Sequence, residues 1–530
     1  MSEYNYIVIG AGSAGCVVAN RLTEDGKTTV LLLEAGNPAN LPEHQVPSDW
    51  IKLWGTEADW AYFTEEEPHL NNRKIYCPRG KVLGGSSSIN AMIYIRGSRH
   101  DYDHWQELGN PGWSYQDVLP YFKKSENQQR GVSEFHGVNG LLSVTDPIAP
   151  SLTSQQFVEA AAALGYGHNP DFNGVQQEGA GLYQLTVKDG KRHSTAAAFL
   201  LPILERPNLT VTTSALVTRL LFEGTRTIGV EYLHQGTIHQ TFMNQEVILS
   251  AGVFDSPKLL MLSGIGNAEQ LRSLDIPVVV DLPGVGQNLQ DHLRVSVAYQ
   301  ATQDIQPAPT SNIAEAGLFL HTEGRLDVAP DLQFHFVPIL WVHPAYAREG
   351  PGFGATVSVT NPQSLGSLTL RSASPKDPPI IRMNYLQNES DLQKLLAGIK
   401  IIQEIFHSDV FDQFRGEEAA PGADHKSDEA LLAYIRETCD SIYHPAGTCK
   451  MGIDSDSVVD SELRVHGVEG LRVVDASIMP TLTTGNTNAP TIMIGEKAAD
   501  LIKAANRVLT QVPLAISPDA ERPVVRHRSA

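Results

Sequence analysis

In the stretch DSIYHPAGTCKMG, residues 440 to 452, His444 stands between Tyr443 and Pro445, five positions before Cys449. Imidazole is the side chain that titrates nearest neutral pH, so such a histidine serves as a catalytic base, a metal ligand or a buried group satisfied by its neighbours. A metal centre is the weakest of the three readings, because His444 and Cys449 supply two ligands and no second pair accompanies them.

A second constellation lies at the other end of the chain. Gly10-x-Gly12-x-x-Gly15 follows an apolar run and opens a helical pattern, and Glu34 ends the next apolar run. In that context Gly10 permits a tight turn, Gly12 lets the backbone approach a pyrophosphate at a helix N-terminus, and Gly15 permits close helix packing. Glu34 is placed to accept from ribose hydroxyls, and an acidic residue there argues against a 2′-phosphate. NAD and FAD both satisfy this pattern. After Gly36, however, the chain breaks into a long stretch containing CPRGKVLGGSSSINAMIYIRG instead of completing a doubly wound domain. Gly80, Gly84 and Gly85 with Ser86, Ser87 and Ser88 form a segment whose backbone can pass close to a flat ligand while hydroxyls and amides bond to it.

The elements that must position these residues are also legible. Tyr4 to Ile9 reads as a buried strand, Cys16 to Leu22 as the start of a helix and Thr28 to Leu33 as a second strand, a β-α-β opening. From about 208 to 250 the pattern is a meander of short strands with turns at Glu223-Gly224 and Gln235-Gly236. Leu332 to Val337, Thr356 to Val359 and Ser367 to Leu370 alternate and predict an antiparallel sheet with one solvated or ligand-facing side. Leu392, Leu395, Leu396, Ile399 and Ile402 fall on one helical face and predict a helix packed on that sheet. The segment after Ile502, rich in Pro and charge, reads as a poorly ordered tail.

Composition narrows the function classes. The 530 residues carry a formal net charge of −20 without a basic run, which disfavours nucleic acid as a partner. Four widely spaced cysteines do not make a disulfide framework and read as reduced thiols. The N-terminus lacks the pattern of a secretory signal and no apolar run reaches the length of a bilayer span, so the expected location is cytoplasmic, with peripheral membrane association left open.

With GAGSAG at 10 to 15, GKVLGGSSSIN at 80 to 90, SPKLLMLSGIG at 256 to 266, PGVGQNLQDHL at 283 to 293, HPAGTCKMG at 444 to 452, VVDASIMP at 473 to 480 and GNTNAPTIMIGEKAADLI at 485 to 502, the chain resembles the glucose-methanol-choline oxidoreductases from Tyr4 to about Ile502. The resemblance implies an α/β fold: a Rossmann-like FAD-binding domain, discontinuous over 1–155, 205–300 and 455–505, and a discontinuous substrate domain over 156–204 and 301–454, built on an antiparallel β-sheet flanked by helices. Residues 506–530 remain as the tail. It further implies oxidation of a primary alcohol, choline or a sugar-like polyol, by hydride transfer to flavin N5. His444 would be the base and Asn488 its partner. Expected cofactor contacts are Gly10, Gly12, Ser13, Gly15, Glu34, Val82, Gly84, Gly85, Ser86, Asn90, Ala91, Val217 through its backbone, Asp475, Ala476 and Asn488.

Within the family the chain looks most like the choline-dehydrogenase-like branch. Tyr443 is similar to an aromatic residue that helps cage a trimethylammonium group, an attraction of the cation-π kind, and Glu315 resembles a carboxylate that pairs with that cation. Two features depart from this pattern. The connection from Gln300 to Ser311 looks short, which bears on the substrate lid, and Ile89 stands where choline oxidase links a histidine to flavin, so non-covalent FAD is expected. Hydroxynitrile lyases and fatty-acid photodecarboxylases share the fold and form the alternative reading, the latter weakened by the presence of His444 and by Thr360 standing where those enzymes carry a cysteine. A dehydrogenase with an unidentified electron acceptor is favoured over an oxidase.

Overall fold

β1 (Glu3–Ile9), α1 (Ser13–Leu22) and β2 (Val30–Leu33) open the computed structural model, which describes residues 3–39 and 41–511. β1 and β2 pair in parallel, and Val30 to Leu33 are buried throughout, as befits strands covered on both faces. The strand Thr237–Leu249 pairs in parallel with the other edge of β1, and Leu471–Val473 pairs with it in turn. The anticipated meander is present: Ala215–Glu223, Arg226–His234 and Thr237–Leu249 are antiparallel neighbours, joined by two-residue turns. Its last strand is therefore also the strand that follows β1 in the nucleotide sheet. Short turns can join antiparallel strands only, so the parallel partner Leu471–Val473 arrives from far along the chain.

The second sheet is antiparallel and has the order Arg415–Ala420, Leu293–Ala301, Gly352–Val359, Leu332–Val337, Ala316–Leu320, Gly179–Leu182. The strand Leu293–Ala301, placed with the nucleotide domain by the sequence boundary at 300, belongs to this sheet. Ser367–Thr369 does not: it forms a separate two-stranded ribbon with Ile380–Arg382. The two-residue side-chain period then sorts the sheet into unlike faces. Phe336 and Phe353 meet Phe406 and Phe411 at ring separations of 5.1 to 6.3 Å beneath the helix Glu389–Phe406. That helix buries the five predicted apolar positions, and its N-cap Asn388 accepts from the Ser390 amide. The opposite face carries Arg294, Ser296, Gln333, His335, Thr356 and Ser358, all buried and polar.

The helix Asn488–Gln511 crosses α1 and the helix Tyr115–Ser125. Glu496, fully buried on it, takes a two-bond fork from Arg21 at 2.6 and 2.8 Å and lies 3.3 Å from Lys124. Glu496→Ala leaves the half-buried Arg21 guanidinium with only Glu24, 3.9 Å away, as an ion-pair partner among the described residues, and the loss is expected to stay below the about 3–5 kcal/mol of a fully buried broken pair. The expected result is a lowered denaturation midpoint, with a smaller loss in Glu496→Gln; equal midpoints for wild type and alanine variant would refute it. Of the tail expected to be unstructured, residues 506 to 511 continue this helix, and 512–530 lie outside the described residues. No described helix is long and apolar enough to cross a membrane.

Candidate active site

A cavity of about 2050 Å³, open solvent at its mouth included, runs from the Gly10–Ser13 turn to the polar face of the second sheet. At its first end two glycine loops meet backbone to backbone. Gly85 (φ +53°) abuts Gly12 so closely that a Cβ there would collide with the Gly12 Cα, and the Gly84 amide donates to the Ala11 carbonyl at 2.7 Å. Glu34 accepts from the Ala11 and Gly36 amides at 2.8 Å each, and burial, opposed by those two bonds, raises its pKa to about 7. Asp475 accepts from the Gly252 and Ser477 amides and from the Ser256 hydroxyl at 2.6 to 2.9 Å, its pKa likewise raised by burial.

Gly10, Gly12, Ser13, Glu34, Gly85, Ser86, Asn90, Ala91, Val217, Asp475, Ala476 and Asn488 line this cavity. Gly15, Val82 and Gly84 do not line it; Gly15 lies against the Gly10 carbonyl and Gly84 against Ser88 and Ala196. The lining is long enough, and rich enough in backbone amides beside the carboxylates of Glu34, Asp255 and Asp475, to take a dinucleotide with its pyrophosphate at the N-terminus of α1.

At the far end, His444 precedes Pro445, which holds its backbone out of helix, and follows Tyr443 at φ +71°. A bulky residue in the left-handed region costs on the order of 1–3 kcal/mol. Its fixation is explicit: the Tyr443 amide donates to Ser441 Oγ at 2.7 Å and its carbonyl accepts from Arg79 at 2.6 Å. Asp291 anchors the next residue by accepting from the His444 amide at 2.8 Å, while also accepting from the Tyr385 and Ser441 hydroxyls at 2.5 Å.

The hydrogen bonds of the imidazole determine its tautomer. His292 Nε2 lies 3.0 Å from the Thr360 carbonyl, which can only accept, so Nε2 carries the proton. Burial lowers the His292 pKa to about 4, leaving a neutral ring whose Nδ1 accepts. His444 Nδ1, 3.0 Å from that nitrogen, must donate to it. A lone pair is thereby left on His444 Nε2, where the Asn486 amide donates at 3.1 Å. Burial foremost, then His292, His335 and Arg79, hold the His444 pKa well below 6.5.

Two expected residues are elsewhere. Asn488 is not the partner of His444; its side chain accepts from Ser13 Oγ at 2.8 Å, and Asn486 takes the place beside the imidazole. The helix begins at Asn488, so its side chain turns toward α1, while Asn486 in the preceding extended loop points to the opposite wall. Glu315 is turned away from the cavity. It accepts from the Ser151 amide and the Ser154 and Ser311 hydroxyls at 2.5 to 2.8 Å, at the N-terminus of the helix Leu152–Ala161, where a carboxylate is favoured. Tyr443 does line the cavity, with Trp50, Trp54 and Trp341. Sequence reasoning assigned no part to His292, Arg294, His335 or Asn486. The alternation of 332 to 337 was the signal for His335, and the motif QDHL for His292.

The GMC oxidoreductase family matches the chain over residues 4–294 and 362–495, and the chain belongs to that family. It is 45% identical over 533 residues to "Oxygen-dependent choline dehydrogenase" of Pseudomonas savastanoi pv. phaseolicola, covering 95% of this chain and 94% of the relative. Among solved structures it is similar to pyridoxine 4-oxidase from Mesorbium loti (TM-score 0.91, 32% identity, 94% of this chain and 99% of that one). It is similar also to an FAD-dependent oxidoreductase from Chaetomium thermophilum (TM-score 0.88, 28% identity, 95% and 100%). The chain is thus an FAD-dependent oxidoreductase acting on the CH–OH group of a small-molecule donor.

Proposed function

We propose that the chain oxidises a primary alcohol to the aldehyde with His444 as base, Asn486 as the group that holds the reacting oxygen, and FAD bound without a covalent link. When bound, FAD supplies the hydride acceptor. The observation that carries the reading is the directed chain Thr360–His292–His444–Asn486, which leaves an unprotonated Nε2 and an amide donor side by side at the cavity wall. A substrate hydroxyl placed between them donates its proton to Nε2 while the Asn486 amide steadies the oxygen as negative charge develops. His292 then shares the charge gained by His444 through the Nδ1 bond. Ile89, which lines the cavity, offers no atom for attachment to flavin, which supports the non-covalent form.

Asn486→Ala is expected to slow anaerobic flavin reduction by about 10²-fold, the usual loss for one oxyanion donor, with cofactor content unchanged. Asn488→Ala is expected to lose bound flavin instead. The opposite assignment of effects would restore Asn488 as the partner. Acid precipitation should leave the yellow colour in the supernatant; a yellow pellet would contradict non-covalent binding. A dehydrogenase, passing electrons to an acceptor other than oxygen, is the preferred form, and the four buried free cysteines support a reducing compartment such as the cytoplasm. The lyase and photodecarboxylase alternatives find no support among the relatives.

A further inference from the structure

We propose that the alcohol received here carries an anionic, carboxylate-like group bound by Arg294, and that the site discriminates against the quaternary ammonium of choline. This rests on the reading of the cavity as the place of alcohol oxidation. Arg294 projects from the strand Leu293–Ala301 on the same face as His292 and two residues further on, a displacement of about 6.6 Å along the strand.

Two of the aromatic surfaces at this end, those of Trp341 and Tyr443, already face a cation. The Arg294 guanidinium carbon lies 5.4 Å from the ring centre of Trp341 and 6.0 Å from that of Tyr443. Its Nε donates to the Ser441 carbonyl at 3.0 Å and its Nη2 to Asp440 at 3.2 Å, which fixes the plane of the fork. Nη1 has only a 3.4 Å contact with Ser296 Oγ, so donor capacity remains toward the cavity it lines. A second guanidinium, that of Arg79, lines the same region; it donates to the Pro78 and Tyr443 carbonyls, and Asp291 is the carboxylate that acts on it most.

Among the described residues, no carboxylate lines this end of the cavity. Asp440 lies behind Arg294, Asp291 is consumed by Tyr385, Ser441 and the His444 amide, and neither lines the cavity. Glu315, the residue expected to face an ammonium, caps a helix on the far side. His335 and Thr356 stand opposite each other on neighbouring strands and both line the cavity; among the described residues neither ring nitrogen of His335 nor Thr356 Oγ1 has a partner of hydrogen-bond geometry, the Asn486 amide being the polar group beside His335. Buried donors without partners are costly unless a ligand supplies acceptors. A carboxylate supplies four lone-pair sites and matches a guanidinium fork.

The test is anaerobic flavin reduction of the holoenzyme by three alcohols of similar size: 4-hydroxybutanoate, neutral 3,3-dimethylbutan-1-ol and choline. Expected is a second-order rate constant at least about 10-fold higher for 4-hydroxybutanoate than for the neutral alcohol, the worth of one good charged hydrogen bond, with choline slowest. Arg294→Gln should erase the advantage of the anion, Arg294→Glu should raise choline above it, and Arg294→Lys should keep the anion ahead of choline. Choline reacting as fast as the anion, or an anion preference that survives in Arg294→Gln, overturns the proposal while leaving alcohol oxidation standing if the neutral alcohol bleaches the flavin. Bleaching by none of the three overturns both readings. Should Arg294→Gln retain no flavin, the lysine variant and the wild-type ranking decide alone.

Discussion

Replacing His444 with glutamine is expected to slow anaerobic flavin reduction by about 10²–10⁴-fold, the usual contribution of a positioned base, with the flavin spectrum and content of the protein unchanged. Glutamine retains hydrogen-bonding capacity toward His292 and Asn486 but takes no proton at neutral pH. The pH profile gives the stricter check. His444 must be unprotonated to act, and its pKa is pushed below 6.5 by burial first and then by His292, His335 and Arg79. Activity is therefore retained as pH falls through 6.5 and is lost only below that value. His335 and Arg79 both press in the same direction, so Arg79→Met and His335→Gln should move the acid limb of kcat/KM upward toward the ordinary imidazole value. An acid limb at or above 6.5 in the wild type, or a glutamine variant that reduces flavin at the wild-type rate, would remove His444 from the role of base.

Gly15→Val is expected to yield a colourless protein. A Cβ at residue 15 would overlap the Gly10 carbonyl oxygen, and both partners are backbone, so no side-chain rotation relieves the clash. α1 must move away from the turn that contains Gly10, Gly12 and Ser13, and overpacking of this kind costs about 1–3 kcal/mol or more. The displaced turn loses the cofactor, and with it the stabilisation that bound ligand adds. Gly12→Ala separates the two effects. Its added methyl meets a single protein atom, the Ser250 carbonyl oxygen at 4.0 Å, so the apoprotein should unfold at the wild-type midpoint. What suffers there is the approach of the pyrophosphate, read as weaker FAD retention by fluorescence titration. A yellow Gly15→Val protein would show that the turn tolerates displacement.

The nucleotide end was legible in the sequence because its signals are local. Gly10, Gly12, Gly15 and Glu34 lie within one β-α-β unit, and their spacing alone sets where each backbone group points. The alternation of Leu332 to Val337 similarly announced a sheet with a ligand-facing side. The end that holds His444 depends on contacts across 42 to 152 positions. His292 and His444 are 152 residues apart and are brought together by the pairing of Leu293 with Ser441 and by the bond from the His444 amide to Asp291. Asn486 and Asn488 lie two residues apart in GNTNAPT, and which of them faces the imidazole depends on where the last helix begins, a boundary that sequence patterns place poorly. Glu315 belongs to the same class of error, since a shift of one position along an extended segment sends a side chain to the other face.

The order in which the cavity wall is written along the chain has a consequence for biosynthesis. Its nucleotide end requires Gly10 and Glu34 from the first strands together with Asp475 and Asn488 from the last 60 residues of the 530. At about 5–20 residues per second, roughly 25 to 100 s separate the appearance of the first of these groups from the last. During that interval the far edge of the strand Thr237–Leu249 lacks Leu471–Val473, and the apolar flank of α1 lacks the helix that will cover it. The nascent chain thus presents an open strand edge and a bare helix face while it has no site able to hold flavin. A flavin held by this wall would accordingly load late, once the chain has been made past Asn488.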